Sequence, residues 1–571
     1  MVKIGYGKAY FPDMIDREML YIDRTMYFAT LENVGNDAVF LLRPRRFGKS
    51  LWVSTMRHYY GIQYRDHFAR WFGKLFIGKN PTPLANQFLI LSIDFSGIDA
   101  ETKDSAYKDF FNAVKLSVSQ FFSDYEEYFD KSEVKTVLGA DSPQSMIRTL
   151  FTLVRAVVPE KKIYLLIDEY DHFANQLMAF QMEDFKNSVS KGGFVRVFFE
   201  NLKIAIGEGV VGRMFVTGVS PITLDSLTSG FNIAMDLSLH PQFHDMFGFT
   251  NDEILHILRA IEVSENEIPS YNALLKDWYD GYCFNPIVQH EIYNPDMVLY
   301  FAAYFASTKT IPRKMLDTNI ASSYNRIRAM FRLPKRGEGE FHSLQELLEK
   351  RQVAVEMTQI FNFDLEFSNA DFLTLLFYMG FLTAKGEVAD RWILHMPNRV
   401  IEHLYHKYFA QLLSERTQFA QGIDSLEFAL NDLFMDNNPT RLADLITHTL
   451  THLSGRDAAV QLPIREKNVQ VLLFSFLSFS QAYLVESEYN ATGQYFDILA
   501  TGIRQLNMPH NFLFELKFLP KAGAKKVKAE YAKAQTQVAA YLQTPKIEQV
   551  PNLRAWIMIV VGTQVKICKM V

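Results

Sequence analysis

Three short stretches hold the residues best suited to chemistry. "LLRPRRFGKSL" (Leu41–Leu51) ends in Gly48, Lys49 and Ser50, the last three places of the G-x-x-x-x-G-K-[ST] phosphate-binding rule, and Arg43 stands where that rule begins with glycine. In such a loop the backbone N–H groups at a helix N-terminus surround a β-phosphate, the lysine reaches the β- and γ-phosphates, and the hydroxyl holds Mg²⁺. "KKIYLLIDEYDHF" carries a β-branched and aromatic run, Ile163–Ile167, that ends in Asp168 and Glu169. An aspartate closing a buried strand beside Ser50 would bind Mg²⁺, and the next glutamate would polarise the water that attacks the γ-phosphate; these are the Walker A and Walker B roles. The third stretch is split. Asp497 lies within "GQYFDILATG", and Glu515 and Lys517 form an E-x-K in "HNFLFELKFL". Residues two apart on a strand share a face, so Glu515 and Lys517 point the same way. With Asp497 on an adjoining strand, two carboxylates and an ammonium converge. That set suits one or two Mg²⁺ (or Mn²⁺) ions that activate water against a phosphodiester, with Lys517 stabilising the hydroxide or the phosphorane. An E-x-K alone is a weak signal, because exposed strands alternate acid and base. Here the flanks are apolar, and charges on a core strand are costly unless paired or metal-bound.

Positioning these side chains requires strands and helices in a particular order. "AVFLL" (Ala38–Leu42) has the continuous apolar character of a buried strand, and "SLWVSTMRHYYG" has helical spacing that closes at Gly61. Pro44 fixes φ where glycine's freedom is missing. Two more strands are expected at Phe88–Gly97 and in "RMFVTGVSPI", the latter ending in Thr217 and Ser220, where a γ-phosphate-sensing side chain would lie. Arg43, Arg45 and Arg46 are the nearest cations for phosphate. The expected nucleotide-binding set is Arg43, Arg46, Phe47, Gly48, Lys49, Ser50, Asp168 and Thr217, with Glu169 catalytic. The second set is Asp497, Glu515 and Lys517 as catalytic residues, with Asp497 and Glu515 as metal ligands.

Residues 1–300 alternate strand and helix patterns, as a parallel α/β sheet domain does. Residues 301–460 are mostly helical in pattern. Within them "DFLTLLFYMGFLTAKGEVADRWILHMPN" reads as helix, Gly380 turn and strand-turn-strand with Gly386 in the bend, the order of a winged-helix-like unit that either binds DNA or packs against its neighbours. His403 and His406, one helical turn apart, read as a solvated or packed pair and not as metal ligands. In residues 461–571 "VQVLLFSFLSF" reads as a buried helix too short to span a bilayer. Three strands and a Lys/Ala-rich helix follow.

Composition sets the wider frame. The chain has 571 residues, 48% hydrophobic and 22% charged, which is folded, multidomain material. Phe at 48 and Tyr at 27 imply thick aromatic cores. The two cysteines, Cys283 and Cys568, make no metal or redox spacing and suggest a reducing, cytoplasmic setting. The N-terminal stretch lacks the apolar region of a signal peptide, so no membrane association is expected. A net charge of −5 gives no global nucleic-acid signature, which leaves any such binding to a local patch. Lys521, Lys525, Lys526, Lys528 and Lys533 suit a phosphate backbone and a solvated helix face about equally.

Taken in order, "YIDRTMY", "LLRPRRFGKS", "LLIDEYD", "FVTGVSPI", "FGFTNDEI", "WYDGYCF", "IYNPDMV", "LLFYMGFLT", "MPNRV" and the D…E-x-K set resemble a family of bacterial proteins. Its members join an AAA-ATPase-like domain to a C-terminal nuclease domain of the PD-(D/E)XK superfamily. The resemblance implies a P-loop NTPase sheet domain, a helical, winged-helix-like middle and a restriction-endonuclease-like α/β domain. It also implies that R-P-R-R-F-G-K-S is itself a phosphate loop, the first glycine being commonly replaced. By the superfamily pattern Glu466, and Glu486 or Glu488, join the metal site, and Gln535 or Gln537 matches the glutamine of the following helix. Tyr495 stands where arginine is frequent. The expected activity is that of an ATP-gated, Mg²⁺-dependent nuclease on DNA before RNA, with ATP as ligand and homo-oligomerisation left open. The alternative is a nucleotide-dependent switch or scaffold whose nuclease fold only binds.

Overall fold

In a computed structural model of the chain, residues 2–98, 102–172, 193–221, 233–312, 314–316, 339–359, 361, 367–454, 465–480, 482–491, 494–503 and 507–571 are described. They divide into two compact units, Met1–Thr310 with Val353–Asn398, and Ile311–Gln352 with Arg399–Val571.

In the first unit, apolar runs form five strands: β1 (Ala38–Leu42), β2 (Phe88–Asp94), β3 (Lys162–Asp168), β4 (Val211–Gly218) and β5 (Met235–Asp236). Their order is β2-β3-β4-β1-β5 and every pairing is parallel. All five residues of β1 and the last six of β3 are buried, as strands covered on both faces must be. Parallel neighbours need crossovers. These contain α1 (Lys49–Tyr60), α2 (Lys103–Asp124), α3 (Pro143–Val157) and α4 (Phe194–Gly207). Local signals start α2 and α3: Thr102 and Ser105 form a capping box, and Ser142 caps α3 with Pro143 in its first turn. Because the strands run the same way, the loop after β1, Asp94, Asp168 and Gly218 all emerge at one end of the sheet.

Later in this unit lie α5 (Pro295–Thr308), capped by Asn294, and α6 (Asn369–Tyr378), capped by Ser368. Strands β6 (Gln352–Val355), β7 (Thr383–Val388) and β8 (Arg391–His395) form a small sheet of order β6-β8-β7. Gly380 has φ +78°, and a Cβ there would approach the Pro44 ring to 2.8 Å, so both its backbone and its lack of a side chain are needed. The helix-turn-strand-turn-strand order read from the sequence is present, but the bend falls elsewhere. Ala389 and Asp390, with φ +48° and +62°, make the turn, while Gly386 sits at a register shift inside β7. Left-handed residues at both positions are the mark of a type I′ two-residue hairpin turn, and Ala-Asp is an unusual pair for it.

In the second unit, after a short strand β9 (Ala420–Ile423), five strands form a mixed sheet: β10 (Tyr483–Ala491), β11 (Gln494–Gly502), β12 (Asn511–Leu519), β13 (Leu553–Val561) and β14 (Gln564–Met570), in sequence order. Only β12 and β13 pair in parallel. The crossover between them contains α9 (Val527–Leu542), whose Ala534 and Val538 pack with Leu513, Ile557 and Ile559. Helices α7 (Arg399–Arg416) and α8 (Glu466–Ser478) precede the sheet, and α8 is buried from Val469 to Ser478. β13 and β14 lie beyond the three strands read from the sequence. Among the described residues no helix is long and apolar enough to cross a membrane.

Candidate active sites

The loop after β1 reaches α1 through two left-handed residues, Arg46 at φ +68° and Gly48 at φ +87°. Lys49 opens α1. Its Nζ is buried and donates to the Pro44 carbonyl at 3.1 Å, and burial lowers its pKa against the charges of Glu169 and Asp168. The Ser50 hydroxyl bonds the Asp168 carboxylate. Asp168 is buried, which raises its pKa to about 6 even though Ser50 and Lys49 pull the other way. Glu169 is turned off the strand at φ +52°. Burial would raise its pKa, but the adjoining His172, whose Nδ1 lies 3.5 Å from Oε2, then the charges of Lys49 and Arg45, hold it at about 2. Arg45 Nη2 stands 2.8 Å from His172 Nδ1 and 3.9 Å from Glu169 Oε2. Two adjacent acids are thus left with opposite proton affinities.

A cavity of about 420 Å³ opens on this loop, lined by Arg45 through Trp52 and by Glu169. Gly7, Lys8 and Tyr21 from the N-terminal segment and Phe247 and Phe249 face it from elsewhere in the unit. Arg46 pairs at 3.2 Å with Asp296 of α5, itself a lining residue. Phe47 is buried edge-on against Tyr282 and Phe284, anchoring the loop while lining the cavity.

Arg43 and Thr217 are engaged elsewhere. The Arg43 guanidinium is 1% exposed and donates to the carbonyls of Leu42, Ser238 and Phe243 at 2.9, 2.6 and 2.8 Å, stacked 4.2 Å over Phe284. Burial lowers its pKa to about 10. Thr217 is fully buried and donates its hydroxyl to Leu41 O at 2.8 Å, tying β4 to β1.

Three residues here escaped the sequence reading. Asp171 accepts Val219 N, Ser220 N and the Ser220 hydroxyl at 2.7–3.0 Å, clamping the ends of β3 and β4. A Cβ on Gly218 would meet its carboxylate at 2.3 Å. Asp94 pairs in register with Asp168 and shares a groove with it and Ser50; the signal was the aspartate closing the β2 run. His172 follows the D-E-Y-D stretch directly, but only the left-handed turn at Glu169 brings the two together.

In the second unit, β11, β12 and the start of α8 bring Asp497, Glu515, Lys517 and Glu466 together. Asp497 Oδ2 accepts Leu516 N at 2.6 Å, and Glu466 Oε2 accepts Phe518 N at 2.9 Å. Glu515 is 2% exposed; its Oε1 takes Lys517 Nζ at 2.7 Å and its Oε2 has no hydrogen-bond partner. Burial, then the Asp497 charge, raise its pKa to about 7. The pKa of Lys517 is raised: burial opposes this, but the Glu515 hydrogen bond and the surrounding carboxylates prevail. Glu486 pairs instead with Arg399 at 3.2 Å. The side chains of Glu488 and Tyr495 lie outside the described residues, and Gln535 and Gln537 are exposed on α9. His406 is buried against Ser475 at 2.8 Å.

Residues 5–228 match the family model described as a predicted AAA-ATPase, and residues 464–570 match that of the PD-(D/E)XK nuclease superfamily. The chain has an AAA-ATPase-like N-terminal domain and a C-terminal PD-(D/E)XK nuclease superfamily domain. The parallel five-stranded sheet of the AAA-ATPase-like domain is P-loop-like, and the mixed C-terminal sheet is consistent with the PD-(D/E)XK fold. The chain is similar to the "Uncharacterized protein in vnfD 5'region" of Azotobacter chroococcum mcd 1, at 23% identity over 300 residues, 49% of this chain and 48% of that protein. It thus spans about half the length of the curated relative it matches. The Walker-type ATPase PABY2304 of Pyrococcus abyssi superposes at a TM-score of 0.39 and 14% identity, covering 70% of this chain and 97% of that one.

Proposed function

We propose that the protein is an ATP-gated, divalent-metal-dependent nuclease that acts on DNA. The observation that carries this reading is Glu515: a carboxylate on a core strand, with one buried oxygen unpartnered, beside Asp497, Glu466 and a single ammonium. An anionic cluster of that kind is under-compensated as it stands, and a dication fits it. Asp497 and Glu515 would hold the metal, with Glu466 beside them. A bound dication would acidify a water and neutralise charge on the phosphate. Lys517, held by Glu515, would supply the positive charge that meets the attacking hydroxide or the phosphorane.

The AAA-ATPase-like domain would bind ATP through the Gly48 backbone and the side chains of Lys49 and Ser50, with Arg45 and Arg46 at the cavity wall. Asp168 would hold Mg²⁺ with Ser50, while Glu169, kept ionised at neutral pH, orients water. Arg43 and Thr217 take structural roles in this reading, since the Arg43 Nη1 and Nη2 groups and the Thr217 hydroxyl already donate to carbonyls.

The test is cleavage of single- and double-stranded DNA and of RNA by the full chain with Mg²⁺ or Mn²⁺, with and without ATP. Asp497→Ala should abolish cleavage at any ATP concentration. Lys49→Ala should lose ATP binding and leave cleavage insensitive to ATP. Wild type that neither cuts nor gains thermal stability from Mg²⁺ would refute the nuclease reading and leave the scaffold alternative.

A further inference from the structure

A second cluster of ligand-type side chains lies in the first unit and plays no part in either site above. Among the described residues, His244, Asp245 and His290 bring one ligand atom each within 4.8 Å of one another. His290 Nε2 stands 2.6 Å from Asp245 Oδ1, and His244 Nε2 stands 3.9 Å from the same oxygen. The two imidazoles meet edge to face with centroids 5.1 Å apart. His244 is 2% exposed, and neither of its ring nitrogens makes a hydrogen bond of acceptable geometry. Buried imidazoles are normally satisfied, because an unmet donor and acceptor in a dry site are expensive. His290 and Asp245 are by contrast open to solvent, which gives an ion a way in.

We propose that His244, Asp245 and His290 form a binding site for a borderline transition dication of the Zn²⁺ type. The donor set is two imidazoles and one carboxylate, which suits Zn²⁺, Co²⁺ or Ni²⁺ better than Mg²⁺ or Ca²⁺, whose preference is for oxygen. Three protein ligands leave a fourth place for water. Metal–ligand bonds of about 2.0–2.1 Å in a tetrahedron set neighbouring donor atoms roughly 3.3 Å apart. The contact at 2.6 Å must open a little and the one at 3.9 Å must close, both by side-chain movement of Asp245 and His290 on the surface. One feature opposes the site: the Arg43 cation is bonded to Phe243 O and stacked on Phe284, whose ring lies 6.0 Å from His244. Asp245 as a ligand, and Asp236 beside Arg43, offset that charge.

The site joins two segments distant in sequence. His244 and Asp245 lie in the Pro241–Met246 turn, and His290 lies in the loop closed by the antiparallel Tyr282–Ile292 bridge. Phe249 and Tyr293 pair just beyond. Met246, Phe247 and Phe249 line the cavity at the phosphate-loop-like segment, so a bound ion would stiffen one wall of it.

The full chain, stripped with a chelator, should bind one equivalent of Zn²⁺ at this site, and Co²⁺ should give the visible d–d bands of a low-symmetry site with nitrogen donors. His290→Ala and Asp245→Asn, both at solvent-facing positions, should each weaken that affinity on the order of 100-fold, since even outer-shell partners of metal ligands cost 10–100-fold. Zn²⁺ should slow hydrogen exchange in peptides covering 241–249 and 282–293 of wild type and leave them unchanged in His290→Ala. The titration is repeated in Asp497→Ala so that metal at the C-terminal domain is counted separately. Binding that is equal in His290→Ala, Asp245→Asn and wild type, or that disappears in Asp497→Ala, overturns the proposal. So does the absence of any exchange change at 241–249.

Discussion

Replacing Glu515 with glutamine tests the electrostatics of the C-terminal domain without asking for activity. The carboxyl is buried, and its pKa rises from 4.5 to about 7 through burial and the Asp497 charge. The folded protein therefore holds the proton more tightly than the unfolded chain does. That stability is fully present below about pH 4.5 and is lost as pH rises through about 7. The whole effect is 2.303RT times the difference between about 7 and 4.5, about 3 kcal/mol, and about 2.5 kcal/mol of it falls between pH 5 and pH 9. Because the side chain is 2% exposed, solvent screens little of this. The assay is hydrogen exchange of β12 and β13 peptides in the full chain with EDTA, corrected for intrinsic rates and read as local opening free energies. Wild type should lose protection over that pH interval, whereas Glu515→Gln should stay nearly flat and exceed wild type at pH 9. Mg²⁺ should restore wild type at pH 9 and do nothing for the variant. A Glu515→Gln protein that is less protected than wild type at pH 9 in EDTA would refute the reasoning, because the ion pair with Lys517 would then outweigh the cost of burial.

Arg43→Ala removes three charged hydrogen bonds and leaves the carbonyls of Leu42, Ser238 and Phe243 short of a donor, so the first unit should lose roughly 3 kcal/mol or more. A thermal melt checks this, and ATP affinity measured well below the melt should stay near wild type. Glu169→Gln should bind ATP normally and slow phosphate release on the order of 10²-fold; equal rates would place the base elsewhere. Thr217→Val loses the bond to Leu41 O and should cost about 1 kcal/mol of stability while leaving the hydrolysis rate unchanged, as read from parallel melts and phosphate-release assays.

The sheet strands were legible because burial on both faces writes itself as continuous apolar runs: Ala38–Leu42 and Ile163–Ile167 could hardly be anything but core. The same property hid β13, since a buried apolar run names neither its partner nor its direction, and β13 pairs with β12 in parallel only after α9 has intervened. Spacing also marks positions without saying where a side chain goes. Arg43 and Arg46 sit three apart in one loop, yet Arg46 faces the cavity while Arg43 turns to carbonyls 195 and 200 residues away, partners no local pattern announces. The pair Asp168 and Glu169 shows the same limit in electrostatic form. Asp168 closes β3 sealed against Ser50 and Lys49, whereas Glu169, one residue past the strand, keeps the Lys49 charge within reach but leaves the strand's path. The left-handed backbone at Glu169 then brings it to His172 and Arg45. One carboxyl thus holds its proton up to about pH 6 and the other sheds it near pH 2, a separation set by tertiary contacts and not by the residue types. The division of labour proposed for them accords with it: a group already ionised at neutral pH can orient water, whereas one that stays near its titration point gains most from a cation that displaces its proton.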